Sequence, residues 1–222
     1  MLLADTGAVA LKEVRLAVRG RTGAVAVLAF GALALCLLAF AFGPAAGRTV
    51  TFEAGALWIT FFFAGQLALQ GAFVLERENG ALEGFLASGG DRLALFLGKL
   101  AAAWLVTAVV EVVAVPLYLL LFGRAGSLHV GALGLSLALG DAGFLAAGVL
   151  LSAVTAQARA GEAVFPLALF PVAVPALLAG VATTRAALGA SLAAPWWQLL
   201  VGYDVLFAAL ALLLFEQALE VT

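Results

Sequence analysis

The sequence predicts an all-α membrane protein: a single domain, residues 1–222, built as a bundle of six transmembrane helices with one helix lying in the membrane interface and a short helix standing on one membrane face. Three observations predict it. Of the 222 residues, 65% are hydrophobic and only 11% charged, and mean hydropathy is +1.18. A water-soluble domain of this length cannot hide that much apolar surface, whereas lipid needs no such hiding. The apolar residues gather in six runs near the roughly 20 residues that cross a bilayer as a helix. Finally, charge concentrates between the second and third runs, where Glu76, Arg77, Glu78, Glu83, Asp91, Arg92 and Lys99 fall within residues 76–99.

Residues 1–21 carry Lys12, Arg15 and Arg19 on one helical face and Leu11, Val14 and Val18 on another, the pattern of an interfacial helix. A cleaved signal peptide is the competing reading. The following apolar run is too long for a signal-peptide core, so the first span is expected to stay in the protein. That span covers 23–43, ended by Pro44 and Gly47, and the second covers 54–75. The charged stretch 76–99 is expected in water. Within it Leu82, Phe85 and Leu86 share a face at helical spacing, and Gly89 and Gly90 break the helix they define. A short amphipathic helix held between two spans suits the docking of a soluble partner.

The third span, 100–122, contains Glu111 and Pro116, and the fourth, 130–156, contains Asp141 and a row of glycines and alanines suited to close helix packing. The fifth, 163–184, contains Pro166, Pro171 and Pro175, and the sixth, 196–215, contains Asp204. The prolines free backbone carbonyls, which makes a hinge or a static kink. Orientation follows from the basic residues. Lys12, Arg15, Arg19, Arg21, Arg77, Arg92, Lys99 and Arg159 fall on one side of an alternating six-span arrangement, against Arg48, Arg124 and Arg185 on the other. The bias puts both termini and the 76–99 stretch in the cytoplasm, and Trp196 and Trp197 at the outer boundary.

No catalytic constellation is present in the sequence. Cys36 is alone, His129 is alone, and neither Lys12 nor Lys99 follows a glycine-rich phosphate loop, so no metal site, no enzyme and no nucleotide site are expected in this chain. Nothing suggests nucleic-acid binding. Glu111, Asp141 and Asp204 are the odd residues, since an ionised carboxylate at mid-bilayer costs at least about 2.5–3.5 kcal/mol on insertion scales. They read either as the polar lining of a substrate or proton path, or as interhelical hydrogen bonds to hydroxyls such as Thr107 or Tyr203.

The segment Glu76-Arg77, then Gly80-Ala-Leu-Glu83, then Phe85-Leu86 resembles the acidic segment after the second span of ABC-2-type exporter subunits. Lys99 followed by Trp104, Thr107, Pro116 and Gly123, the stretch Phe170-Pro171-Val-Ala-Val-Pro175, and the ending Tyr203-Asp204 through Phe215-Glu216 and Glu220 resemble the CcmB family more narrowly. Two features depart from it. Ser88-Gly89-Gly90 stands where a proline is common, and Ala103 stands where some members have histidine.

The resemblance implies an ABC-2 exporter type of bundle in the bacterial inner membrane, acting in cytochrome c maturation by haem export or by ATP-driven release of a haem-loaded chaperone. It implies a CcmA-like ATPase that binds ATP, a CcmC-like haem-handling membrane subunit, and indirectly a CcmE-like chaperone. A homodimer also remains open. Glu76, Arg77, Glu78, Gly80, Leu82, Glu83 and Phe85 are then the expected ATPase-docking residues of a cytoplasmic coupling helix. Haem would be cargo, touched at the outer face by His129, Trp196 and Trp197; a lone histidine there is more commonly an interfacial polar residue. The competing readings are a permease of an unrelated ABC-2 exporter for a lipid or drug, and a membrane scaffold that transports nothing.

Overall fold

The computed structural model describes residues 2–19, 21–41, 49–70, 73, 80–87, 89–123, 128–156, 161–189 and 194–220. Among these it contains eight helices: α1 (Leu2–Arg19), α2 (Arg21–Ala41), α3 (Val50–Leu69), α4 (Ala81–Ala87), α5 (Arg92–Phe122), α6 (Val130–Thr155), α7 (Gly161–Ala187) and α8 (Pro195–Glu220). Five stretches are long and apolar enough to cross a bilayer: Val50–Leu69, Arg92–Phe122, Val130–Thr155, Ala163–Ala187 and Pro195–Phe215. The described apolar stretch of α2, Val25–Ala41, is shorter.

Helix ends follow local chemistry. The Thr49 hydroxyl accepts from the Phe52 N–H at 3.2 Å to start α3, and Asp91 Oδ1 accepts from the Leu93 N–H at 2.8 Å to start α5. Gly123 ends α5 in the left-handed region at φ +67°, which glycine reaches without a Cβ penalty.

α6 lies at the centre, packed broadly on α7 and α8 and more narrowly on α3 and α5. α3 fills the space between α2, α5 and α7, and α1 lies along α5. The interior divides into two layers. At the end of the bundle holding α1 and the close of α8, the terminal end, Val9, Phe73, Leu82, Phe96, Phe215 and Leu219 form one cluster. At the far end, Leu35, Leu57, Trp58, Tyr118, Phe122 and Leu133 belong to another. Large apolar side chains such as Val112 and Leu120 of α5 and Val205 and Leu213 of α8 point outward, as lipid-facing positions do.

One expectation is corrected here. The charged stretch 76–99 was expected in water up to its last residue, Lys99. Instead α5 begins at Arg92, and Lys99 is only 3% exposed. The charge is tolerated because Lys99 Nζ lies 3.0 Å from Glu13 Oε1 and 4.4 Å from the centre of the Phe73 ring.

Candidate functional site

The expected docking segment falls at the terminal end. Glu76, Arg77 and Glu78 lie outside the described residues. Gly80, at φ +64°, leads into α4. Leu82 is buried among Val9, Phe73 and Phe96, so α4 is fastened to the bundle by its apolar face. Phe85 is half-buried against the same cluster, and a Cβ at Gly90 would collide with its ring. Gly84 and Ala87 face outward. Glu83 belongs to α4, and its side chain is outside the described ones. The expectation that Gly89 and Gly90 follow the end of this helix agrees with the structure, where Gly89 takes φ +75°. A seven-residue helix has almost no stability of its own; it exists here because Leu82 is anchored.

The three intramembrane carboxylates share one level. Counting from Phe122, Val130 and Pro195 at the far end, Glu111, Asp141 and Asp204 all lie about 14–17 Å in, at 1.5 Å per residue. Glu111 of α5 and Asp141 of α6 come together across the helix interface. They line a cavity of about 180 Å³ walled by Trp104, Ala108, Gly134 and Leu137. Trp104 also borders a larger lateral cleft, about 750 Å³, between α5 and α8, floored by Ala142 and Ala146 of α6, with Asp204 on its wall. Glu111 Oε1 and Asp204 Oδ2 are buried and find no hydrogen-bond partner among the described residues.

The hydroxyls expected to satisfy these acids do not. Thr107 donates to the Ala103 carbonyl of its own helix at 3.0 Å, and Tyr203 donates to the Val172 carbonyl of α7 at 3.0 Å. Asp204 instead accepts from the Gly143 N–H of α6 at 2.9 Å. That contact depends on Gly143 having no side chain, since a Cβ there would strike Asp204 and Tyr203. Of the fourth-span glycines, Gly140, Gly143 and Gly148 are contact points of this kind, whereas Gly131 and Gly134 face open space.

The remaining expected site residues are spread over two elements and the far end. Pro166, Pro171 and Pro175 sit inside α7, which stays helical through all three, and Pro116 sits on an outward face of α5. His129 is exposed at the start of α6, with its backbone N–H bonded to the Ala187 carbonyl at 2.7 Å. Trp196 and Trp197 open α8 at the same end.

Sequence reasoning missed a polar node beneath them. The Trp58 indole N–H donates to Thr184 Oγ1 at 2.8 Å, and Ser136 Oγ lies 2.6 Å from Thr183 Oγ1 and 3.1 Å from Thr184 Oγ1. All four side chains are buried, and the indole is flanked by Gly140 and Gly180, where any Cβ would overlap it. Tryptophan at the centre of three helices with small residues opposite was the available signal. The Lys99–Glu13 pair was missed too, because its members stand 86 residues apart.

Comparison with known proteins gives the chain its relatives. Residues 5–222 match the family model described as CcmB protein. Heme exporter protein B of Paracoccus denitrificans is 29% identical over 211 residues, covering 95% of both chains. The protein of the same name from Pseudomonas aeruginosa is 29% identical over 177 residues, 80% of this chain and 79% of that one. A third, from Rhodobacter capsulatus, is 29% identical over 174 residues, 78% and 79%. With a match that runs almost from end to end and spans α1, α4 and all the long apolar helices, the chain belongs to the CcmB family.

Proposed function

We propose that this chain is the membrane subunit of a haem-exporter-type ABC complex acting in cytochrome c maturation, with ATP bound by a separate CcmA-like subunit. The observation that carries the reading is the family match over residues 5–222, joined to relatives named for haem export. Membership disfavours the unrelated lipid or drug exporter. In this reading α2 supplies the sixth crossing beside the five long apolar stretches, giving an ABC-2 exporter type of bundle in the bacterial inner membrane. The excess of Lys and Arg on the terminal side puts both termini and α4 in the cytoplasm.

There α4 is the coupling helix. Its Leu82 face is held by the bundle, which leaves the Gly84 and Ala87 face, with the charged residues around it, to meet the ATPase. ATP-driven closure of the partner then pushes on an element seated in the same cluster as α1, α5 and α8, a rigid transmission between two packed states. At mid-depth the two readings of the acids divide by residue. Asp204 serves helix packing through its bond to Gly143 as well as standing on the wall of the lateral cleft, while Glu111 and Asp141 line the smaller cavity and support a polar path. A CcmC-like membrane subunit and, indirectly, a CcmE-like chaperone complete the proposed assembly, with haem as cargo near His129, Trp196 and Trp197. A homodimer is the competing assembly.

The test is a pull-down of the tagged chain from detergent-solubilised membranes, with companions identified by mass. An ATPase together with a haem-binding membrane subunit supports the reading; an ATPase alone with a dimer of this chain overturns it. Failure of the added chain to stimulate ATP hydrolysis would favour the scaffold instead. Glu83→Lys is expected to lose the ATPase while the bundle stays inserted, and unchanged co-purification would remove α4 as the dock.

A further inference from the structure

Lys99 is the most deeply buried cation among the described residues, and nothing in the proposed docking or haem-handling chemistry uses it. It sits two turns into α5, its side chain 2% exposed, with Nζ 3.0 Å from Glu13 Oε1 of α1. Lys12 approaches the same oxygen at 3.3 Å from the exposed side, so Glu13 is bracketed by one buried and one surface cation. One residue before Lys99, Gly98 lets the α1 backbone close on α5: a Cβ there would lie 2.5 Å from Val9 Cβ and 3.0 Å from the Thr6 carbonyl. The ring that Lys99 covers, Phe73, packs at a tilt against Phe215 of α8, with ring centres 5.9 Å apart, and belongs to the cluster that buries Leu82 of α4.

Apolar packing alone holds two helices together without fixing how far one has slid along the other, since Leu and Val contacts are nearly equivalent from turn to turn. The Lys99–Glu13 pair adds to the Gly98 contact in fixing the register, because a slide of one turn draws the buried Lys99 ammonium away from the Glu13 carboxylate. The pair therefore makes α1 and α5 one rigid body, and Phe73 joins that body to the seat of α4. We propose that Lys99 and Glu13 form the joint through which movement of α4 reaches the interfacial helix α1, making Lys99 a positioning residue for ATP-driven turnover. The proposal rests on α4 being the ATPase dock.

The experiment uses the whole complex in a strain lacking its own copy of this subunit, reading ATPase co-purification and holocytochrome c yield side by side. Lys99→Met and Glu13→Gln are each expected to keep the ATPase bound and to lower yield at least about fivefold, the low end of an allosteric coupling. Exchanging the charges, Glu13→Lys with Lys99→Glu, restores the pair and is expected to raise yield above either single variant. It stays below the native level, because a carboxylate over the Phe73 ring loses the cation–π contact. A purely structural role predicts loss of ATPase and yield together. Native yield in both single variants, parallel loss of assembly, or an exchange no better than its parents overturns the joint. Glu83→Lys runs as the control: if it still carries the ATPase, the docking reading falls and takes the joint with it. If it releases the ATPase while the exchange fails, the joint falls alone.

Discussion

Gly140 and Gly134 lie on the same helix and look alike in the sequence, yet only the first touches anything. A methyl group at Gly140 meets the Trp58 ring, and one at Gly134 meets open space. Gly140→Ala should therefore cost about 1–3 kcal/mol, the usual penalty for overpacking, while Gly134→Ala should cost nothing and gain up to about 1 kcal/mol from helix propensity. Reversible unfolding of the two variants in mixed micelles measures the difference, and equal losses would mean that the Trp58 seat is loose. The intramembrane acids carry the same lesson. Their rarity in apolar runs made Glu111, Asp141 and Asp204 stand out at once. Their partners stayed hidden because a backbone N–H such as that of Gly143 has no signature in a sequence, and because Thr107 and Tyr203 each had a carbonyl available nearer to hand.

Among the elements, α7 is the one whose continuity needs explaining. Three prolines remove three donors from its ladder, and Pro175 leaves the Pro171 carbonyl without its usual partner. Tyr203 of α8 places a hydroxyl on the neighbouring Val172 carbonyl, just where the ladder is weakened, so α8 braces the segment in which a hinge was expected. Removing that brace with Tyr203→Phe should cost about 0.6 kcal/mol and no more than about 1.7, the range for interhelical bonds in membranes. The same micelle unfolding assay reads it, and a variant as stable as the native chain would return α7 to the unbraced hinge.

α4 and α5 show what was and was not legible at this scale. The helix around Leu82 and Phe85 could be read from spacing, and its end from Gly89. The start of α5 could not, because Asp91, Arg92 and Lys99 carry charge, and charge was weighed as a sign of water. Asp91 was in fact a capping residue, and Lys99 was neutralised from a distant helix. A charged residue in a membrane protein reports solvent only after its partner has been found.

For the whole molecule, hydropathy made the long apolar helices visible in advance, because every span must satisfy its own backbone and so announces itself by length. Which spans touch is a matter of packing between surfaces of similar composition, and composition does not encode it. The central place of α6 is owed to Gly140, Gly143 and Gly148, of which the first and last are set against Trp58 and Leu69 of α3 and the second against Tyr203 of α8. The proposed orientation is open to direct measurement. In a Cys36→Ser chain, Ala194→Cys should react with an impermeant maleimide added outside intact spheroplasts, whereas Ala4→Cys and Gln217→Cys should react only after lysis. Labelling in the reverse order would invert the bundle and remove α4 from the compartment that holds ATP.

The burial of Trp58 has a practical side. Of the four tryptophans, Trp104 and Trp196 are 41% and 36% exposed and Trp197 is half-buried, while Trp58 is 3% exposed. Its indole is therefore the one chromophore shielded from lipid-soluble quenchers, and its emission is separable from the other three without labelling. It is wedged between α6 and α7 with its N–H tied to Thr184, so any sliding of those helices during a transport cycle must change its surroundings. The protein carries a built-in optical gauge of how α6 and α7 sit against Trp58.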